Sequence, residues 1–97
     1  MSKQNETILI IDDDDALLGA LSKTLELAGY NALTARDAVT GAKIVKERHV
    51  DTVLLDLQLP GVEGLEALER LHAEHPAVPI VMITAFGGNP RRKVSTA

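Results

Sequence analysis

The stretch Ile8-Leu9-Ile10-Ile11-Asp12-Asp13-Asp14-Asp15 passes from four consecutive apolar residues to four consecutive acids, and Val53-Leu54-Leu55-Asp56 repeats the transition with one acid. A short apolar run stopped by polar residues reads as a buried strand. In open α/β sheets, ligands gather outside the carboxyl ends of the strands. If these two strands are neighbours, their terminal acids converge on one crevice. Two carboxylates about 4 Å apart repel by roughly 4 kcal/mol at an effective dielectric near 20. A hard divalent cation with oxygen ligands offsets that repulsion most simply, so the pattern predicts bound Mg²⁺.

Outward from these strands, Leu17, Leu18, Leu21, Leu25 and Ala28 recur at helical spacing over residues 16–28. Asp14 or Asp15 is placed to cap that helix and Gly29 to end it. Residues 30–34 form a weaker strand candidate. Asp37 suits the N-cap of a helix running to about Arg48, with Ala38, Ala42 and Val45 facing inward. Residues 52–55 then form a strand and Leu59-Pro60-Gly61 a turn. A helix over 65–74 carries Leu65, Leu68 and Leu71 on one stripe. Pro76 and Pro79 bracket the connection to a last strand, Ile80-Val81-Met82-Ile83. The order βαβαβαβ implies parallel strands joined by right-handed crossovers. Residues 87–97 show no periodicity: Gly87-Gly88-Asn89-Pro90 breaks structure, and Arg91-Arg92-Lys93 adds charge without an apolar face. The domain is therefore expected over 1–86, followed by a polar basic tail that is disordered, as chain ends often are.

Ninety-seven residues is one small domain, with ordinary hydrophobic (45%) and charged (25%) fractions for a globular protein. Tyr30 and Phe86 are its aromatics, so the core rests on Leu, Ile, Val and Ala. A net charge of -4 argues against direct contact with nucleic acid. The absence of cysteine removes any disulfide framework and suits a cytoplasmic setting. The polar start, Met1 to Thr7, lacks a signal-peptide core, and no apolar run reaches membrane-span length.

Three pieces in register carry a family resemblance: Ile8-Leu9-Ile10-Ile11-Asp12-Asp13-Asp14, then Val53 through Asp56 with Leu57-Gln58-Leu59-Pro60-Gly61-Val62-Glu63-Gly64, then Val81-Met82-Ile83-Thr84-Ala85. Spanning residues 8–86, the sequence resembles the CheY-like receiver domain of two-component response regulators. Thr84-Ala85-Phe86-Gly87 further resembles receivers of NtrC-like regulators. The resemblance implies a flavodoxin-like, doubly wound parallel sheet of order 2-1-3-4. It makes Asp56 the phosphoryl acceptor, phosphorylated by a histidine kinase or phosphotransfer protein. Asp12, Asp13, Asp56 and the main-chain carbonyl of Gln58 would hold Mg²⁺. Thr84 would offer its hydroxyl, and Ala85 its amide, to the phosphoryl group. Such modules signal and are not enzymes. The chemistry is coherent, because phosphoryl transfer needs positioning and charge neutralisation more than covalent help.

The residues weigh differently against simple structural roles. For Asp14 and Asp15, capping and helix-dipole complementarity account for the charge. Asp12 and Asp13 sit too close to the strand for that explanation, and a carboxylate ending a buried strand, as Asp56 does, is costly unless partnered. Thr84 alone is an ordinary strand residue; the family register promotes it. Pro60-Gly61 shapes the loop beside Asp56. His49, His72 and His75 lack ligand spacing with these acids and suit helix ends.

The match also has a boundary. A complete receiver continues with a helix, a strand and a helix, and its last strand ends in a lysine that pairs with the phosphoryl group. No residue after Phe86 fits that lysine or the family's switch aromatic, which implies impaired switching. A fourth strand without a neighbour would present an apolar edge, inviting a homodimer or a domain swap. A chain cut short, a frameshifted gene product, or a protein completed by another chain would each produce this pattern. Two rival functions follow: a non-signalling interaction module on the receiver scaffold, and a Mg²⁺-dependent phosphohydrolase with Asp12 as nucleophile and Asp14 as acid/base. The second resembles haloacid-dehalogenase-like enzymes, but Asp15 stands where their motif has Thr or Val.

Overall fold

The structure, a computed structural model, describes residues 6–56, 63–85 and 92–96. Along the chain run β1 (Thr7–Ile11), α1 (Asp15–Leu27), β2 (Asn31–Ala35), α2 (Ala38–Glu47), β3 (Thr52–Asp56), α3 (Glu63–Glu74), β4 (Ile80–Ala85) and β5 (Arg92–Thr96). The strands form one sheet in the order β2-β1-β3-β4-β5. The first four are parallel, in the expected order 2-1-3-4. Among the described residues, no helix is long and apolar enough to cross a membrane.

The unbroken apolar run of β1 is explained by its position between β2 and β3, where both of its faces are covered. Leu9 and Ile11 join Ala35, Val45, Val53, Leu55, Leu71 and Ile80 in a core between the sheet and helices α2 and α3. Ile8 and Ile10, of opposite parity, are buried outside that cluster, as is Leu18 of α1, which packs on β1 and β2. α2 approaches β1 closely at Gly41. A Cβ there would collide with the Ile11 side chain, lying 2.8 Å from its Cγ1 and nearer still to its Cδ1.

Local chemistry sets the helix ends. Asp14 caps α1, its carboxylate accepting from the Leu17 amide at 3.2 Å. Gly29, at φ +100°, ends it: the Gly29 amide donates to the Glu26 carbonyl and the Tyr30 amide to the Leu25 carbonyl. Asp37 caps α2 through the Thr40 amide at 2.7 Å, and that bond holds its carboxyl below the ordinary carboxylate range. On α2, Val45 is buried and Ala42 packs, partly buried, against the core as expected, and the close approach to β1 buries Gly41 as well. On α3, Leu68 and Leu71 face the core as expected. Leu59-Pro60-Gly61 and Phe86 lie outside the described residues.

One expectation requires correction. Within the segment read as a disordered tail, Arg92–Thr96 form β5, antiparallel to β4, with Val81 opposite Thr96 and Ala85 opposite Arg92. The outer edge of β4, expected to be available to a second chain, is thus paired within this one. Backbone N–H and C=O groups at a sheet edge demand partners, and a nearby segment bearing Val94 and Thr96 supplies them. Such pairing is made by the main chain and needs no apolar periodicity. Arg92 and Lys93 also suit an edge strand, where charge discourages further pairing.

At the opposite end of the sheet, the Thr7 amide donates to Asp51 Oδ2 at 2.8 Å, and the Asp51 amide returns a bond to the Thr7 carbonyl at 2.8 Å. His49 Nε2 lies 2.8 Å from Asp51 Oδ1. The Thr7 amide first, and His49 second, lower the Asp51 carboxyl below its ordinary value of 3.8. A carboxyl depressed in the folded state stabilises above its unfolded value and loses that contribution as pH falls through the folded one. Asp51→Ala should therefore lower the urea midpoint at pH 6. The gap to the parent chain should narrow progressively below pH 3.8; an equal gap at pH 6 and pH 2.5 would contradict the clamp.

The glycines give an opposed pair of expectations. A Cβ at Gly19, in the exposed middle of α1, meets nothing within 4 Å. Gly19→Ala should stabilise by about 0.5–1 kcal/mol. Gly41→Ala recovers a similar helix preference but forces Ile11 to repack, at about 1–3 kcal/mol. Urea denaturation should show a net loss for Gly41→Ala, and a rise would refute the close approach.

Candidate functional site

The parallel register of β1 and β3 builds the site. Ile11 lies opposite Leu55, so the residues that follow, Asp12 and Asp56, leave adjacent strands at the same level. Asp12 and Asp56 are both buried, at 2% and 4% exposure, whereas Asp13 faces water. Carboxylate oxygens of Asp12, Asp13 and Asp56 all lie within 4.8 Å of one another. Three of the four residues expected to bind metal are therefore brought together; the fourth, Gln58, lies outside the described residues.

At such separations two buried carboxylates repel by about 3 kcal/mol at an effective dielectric near 20. The donor set, three hard anionic oxygens at a water-facing crevice, suits Mg²⁺ or a similar cation rather than a soft metal.

The acids further along the run are otherwise engaged. Asp14 is the α1 cap, as one of the two sequence readings had it, and Asp15 opens the first turn. Asp15 Oδ1 also pairs with Arg36 Nε at 3.0 Å. With both partners well exposed, this ion pair is worth little in stability, but it ties the start of α1 to the end of β2. The Asp12 amide reinforces the tie by donating to the Ala35 carbonyl at 3.0 Å. Sequence reasoning missed Arg36, because nothing in local spacing joins residues from separate βα units.

On β4, Ile83 lies opposite Asp56, and Thr84 follows it. The backbone of Thr84 and Ala85 is part of β4, while the Thr84 hydroxyl lies outside the described part of the structure. Lys93, which the sequence reading left without a strand, occupies the register position opposite Thr84.

Comparison with known proteins agrees with this geometry. The response regulator receiver domain profile matches residues 8–96. The chain is 29% identical over 96 residues to the transcriptional regulatory protein GlrR of Escherichia coli, covering 99% of this chain and 22% of that protein. It is 39% identical over 82 residues to the regulator RpaA of Synechocystis, covering 82% of this chain and 34% of that protein. It thus spans only a fifth to a third of the length of these relatives.

Among solved structures, a CheY-like receiver from Methanospirillum hungatei aligns with a TM-score of 0.80 at 34% identity, covering 86% of this chain and 66% of that one. The response regulator TrrA of Thermotoga maritima, solved with Mg²⁺-BeF, aligns with a TM-score of 0.78 at 28% identity, covering 86% and 72%. TrrA has also been solved in complex with the histidine kinase ThkA. Receiver domains are signalling modules rather than enzymes, which removes the phosphohydrolase alternative, and Asp14, its required acid/base, is the helix cap. Fold, acidic crevice and sequence profile converge: this chain belongs to the response regulator receiver domains of two-component signalling.

Proposed function

We propose that the chain is a phosphoacceptor, taking a phosphoryl group from a histidine kinase onto Asp56 in the presence of Mg²⁺. The observation that carries this reading is the convergence of Asp12, Asp13 and Asp56 at the carboxyl edge of the sheet. Two solved structures of one relative support it: a response regulator with Mg²⁺-BeF, and the same regulator in complex with a histidine kinase.

In this reading Asp56 is the nucleophile. One of its oxygens bonds to phosphorus as the donor's bond to phosphorus breaks, the electron pair leaving with the donor. Asp12, Asp13, Asp56 and the Gln58 carbonyl would hold the cation. When bound, Mg²⁺ supplies charge neutralisation for the carboxylates and the incoming phosphoryl oxygens. The burial of Asp12 and Asp56 limits water at the acceptor and strengthens the local electrostatics. Thr84 and the Ala85 amide are assigned to the phosphoryl oxygens. β4 places them just beyond Ile83, the register partner of Asp56.

Incubation with a small phosphodonor and Mg²⁺ should give a mass gain of one phosphoryl group. The gain should be lost on chelation of the metal and absent in Asp56→Asn. A gain that survives in Asp56→Asn would remove Asp56 from the acceptor role, and no gain in the parent chain would remove the phosphoacceptor reading.

A further inference from the structure

Three residues separate the last strand position of β1, Ile11, from the first helical residue of α1, Asp15. Within that span, the buried Asp12 carboxylate accepts a hydrogen bond from the Asp14 amide at 3.0 Å. A side chain receiving the amide two residues on forms an Asx turn, which limits how the carboxylate can rotate. Asp14 is also joined to the helix at two points. Its Oδ1 accepts from the Leu17 amide at 3.2 Å, and its carbonyl accepts from the Leu18 amide at 2.9 Å. Held at both side chain and carbonyl, Asp14 keeps φ -92° and ψ 105°. That φ governs how its N–H is turned relative to the first turn of α1. The hydrogen bond that orients Asp12 is therefore one step removed from the bond that starts the helix.

We infer that Asp14 is a positioning residue for the acidic triad: by capping α1 it keeps its own amide on Asp12 and sets the orientation in which Asp12 meets a divalent cation. This rests on the reading of the triad as a Mg²⁺ site. Asp14 is not one of the three converging carboxylates, so it acts through Asp12. Two contacts from the end of β2 brace the same loop: the bond between the Asp12 amide and the Ala35 carbonyl, and the pair between Arg36 and Asp15. Both hold the loop's position. Neither is made by the Asp12 carboxylate itself. Groups that orient a metal ligand commonly change metal affinity by about 10- to 100-fold when lost.

The substitutions must separate capping from charge, since Asp14 also adds a negative charge near the cation. Asp14→Asn removes the charge and keeps an oxygen able to cap. Asp14→Ala removes both. Asp14→Gly also removes both, and glycine is well tolerated at a helix start, which guards against simple unfolding. Mg²⁺ affinity would be measured calorimetrically on the whole chain, at fixed ionic strength and well below the melting temperature, with helix content checked by circular dichroism. The expected result is a modest weakening in Asp14→Asn and a further loss of about tenfold in Asp14→Ala and Asp14→Gly. Equal affinities in all three variants would overturn the inference, because charge alone would then account for Asp14. An affinity unchanged from the parent in Asp14→Ala would overturn it as well. If the parent chain itself bound no Mg²⁺, the metal reading would fail and the inference with it. That outcome differs visibly from one in which the parent binds and the variants tie.

Discussion

The parallel pairing of β1 with β3 is the constraint on which the rest of the molecule depends. It joins Ile8 to Thr52 and Ile11 to Leu55, and it fixes two things together. Leu9, Ile11, Val53 and Leu55 enter one core, and Asp12 and Asp56 emerge side by side. A slip of one residue would exchange the two faces of β1 and take Asp12 out of level with Asp56. The apolar interior thus enforces the geometry of the acids: the burial that favours folding also holds like charges close together. The loop after β1 then distributes the remaining acids, giving Asp14 to the helix and Asp15 to Arg36, so that they do not add to the crowd at Asp56.

The same logic explains the rigidity of the framework around the site. Asp12 is bonded through its amide to Ala35 of β2 and through its carboxylate to the Asp14 amide. β3 delivers Asp56 from the strand on the other side. At the far end of the sheet, the reciprocal bonds of Thr7 and Asp51 hold the β1 start against the approach to β3. The register is therefore secured at both ends, and the site sits at one of them. Gly41 lets α2 approach Ile11 closely enough to cover β1 from one face.

Much of this was legible beforehand, for identifiable reasons. The apolar runs of β1 and β3 announced strands because β1 is buried on both faces and β3 on one, with Leu54 partly covered on the other. Asp14, Gly29 and Asp37 announced helix ends because their chemistry is local. The acidic crevice followed from two strand ends and the general rule for open α/β sheets. What escaped the sequence was non-local. The bond from Arg36 to Asp15 joins two separate βα units. The strand Arg92–Thr96 is recruited by the open backbone of β4, and a polar segment carries no periodic mark of that. Ala42 faces the core as its spacing implied, but the burial of Gly41 was not marked in the sequence, because it depends on Ile11, which is distant along the chain.

The sequence by itself determined the order of elements from β1 to β4, the places where α1 and α2 begin, and the acidic character of the strand ends, because each depends on neighbouring residues and on the alternation of apolar with charged side chains. The tertiary structure alone decided which acids face one another and which serve the helix, and whether the chain after β4 pairs with it. Those outcomes depend on register and on edges, and both are properties of how strands meet rather than of any stretch of chain. Asp12, Asp13, Asp14 and Asp15 are four identical side chains in a row; only the strand beside them and the helix after them give them different work.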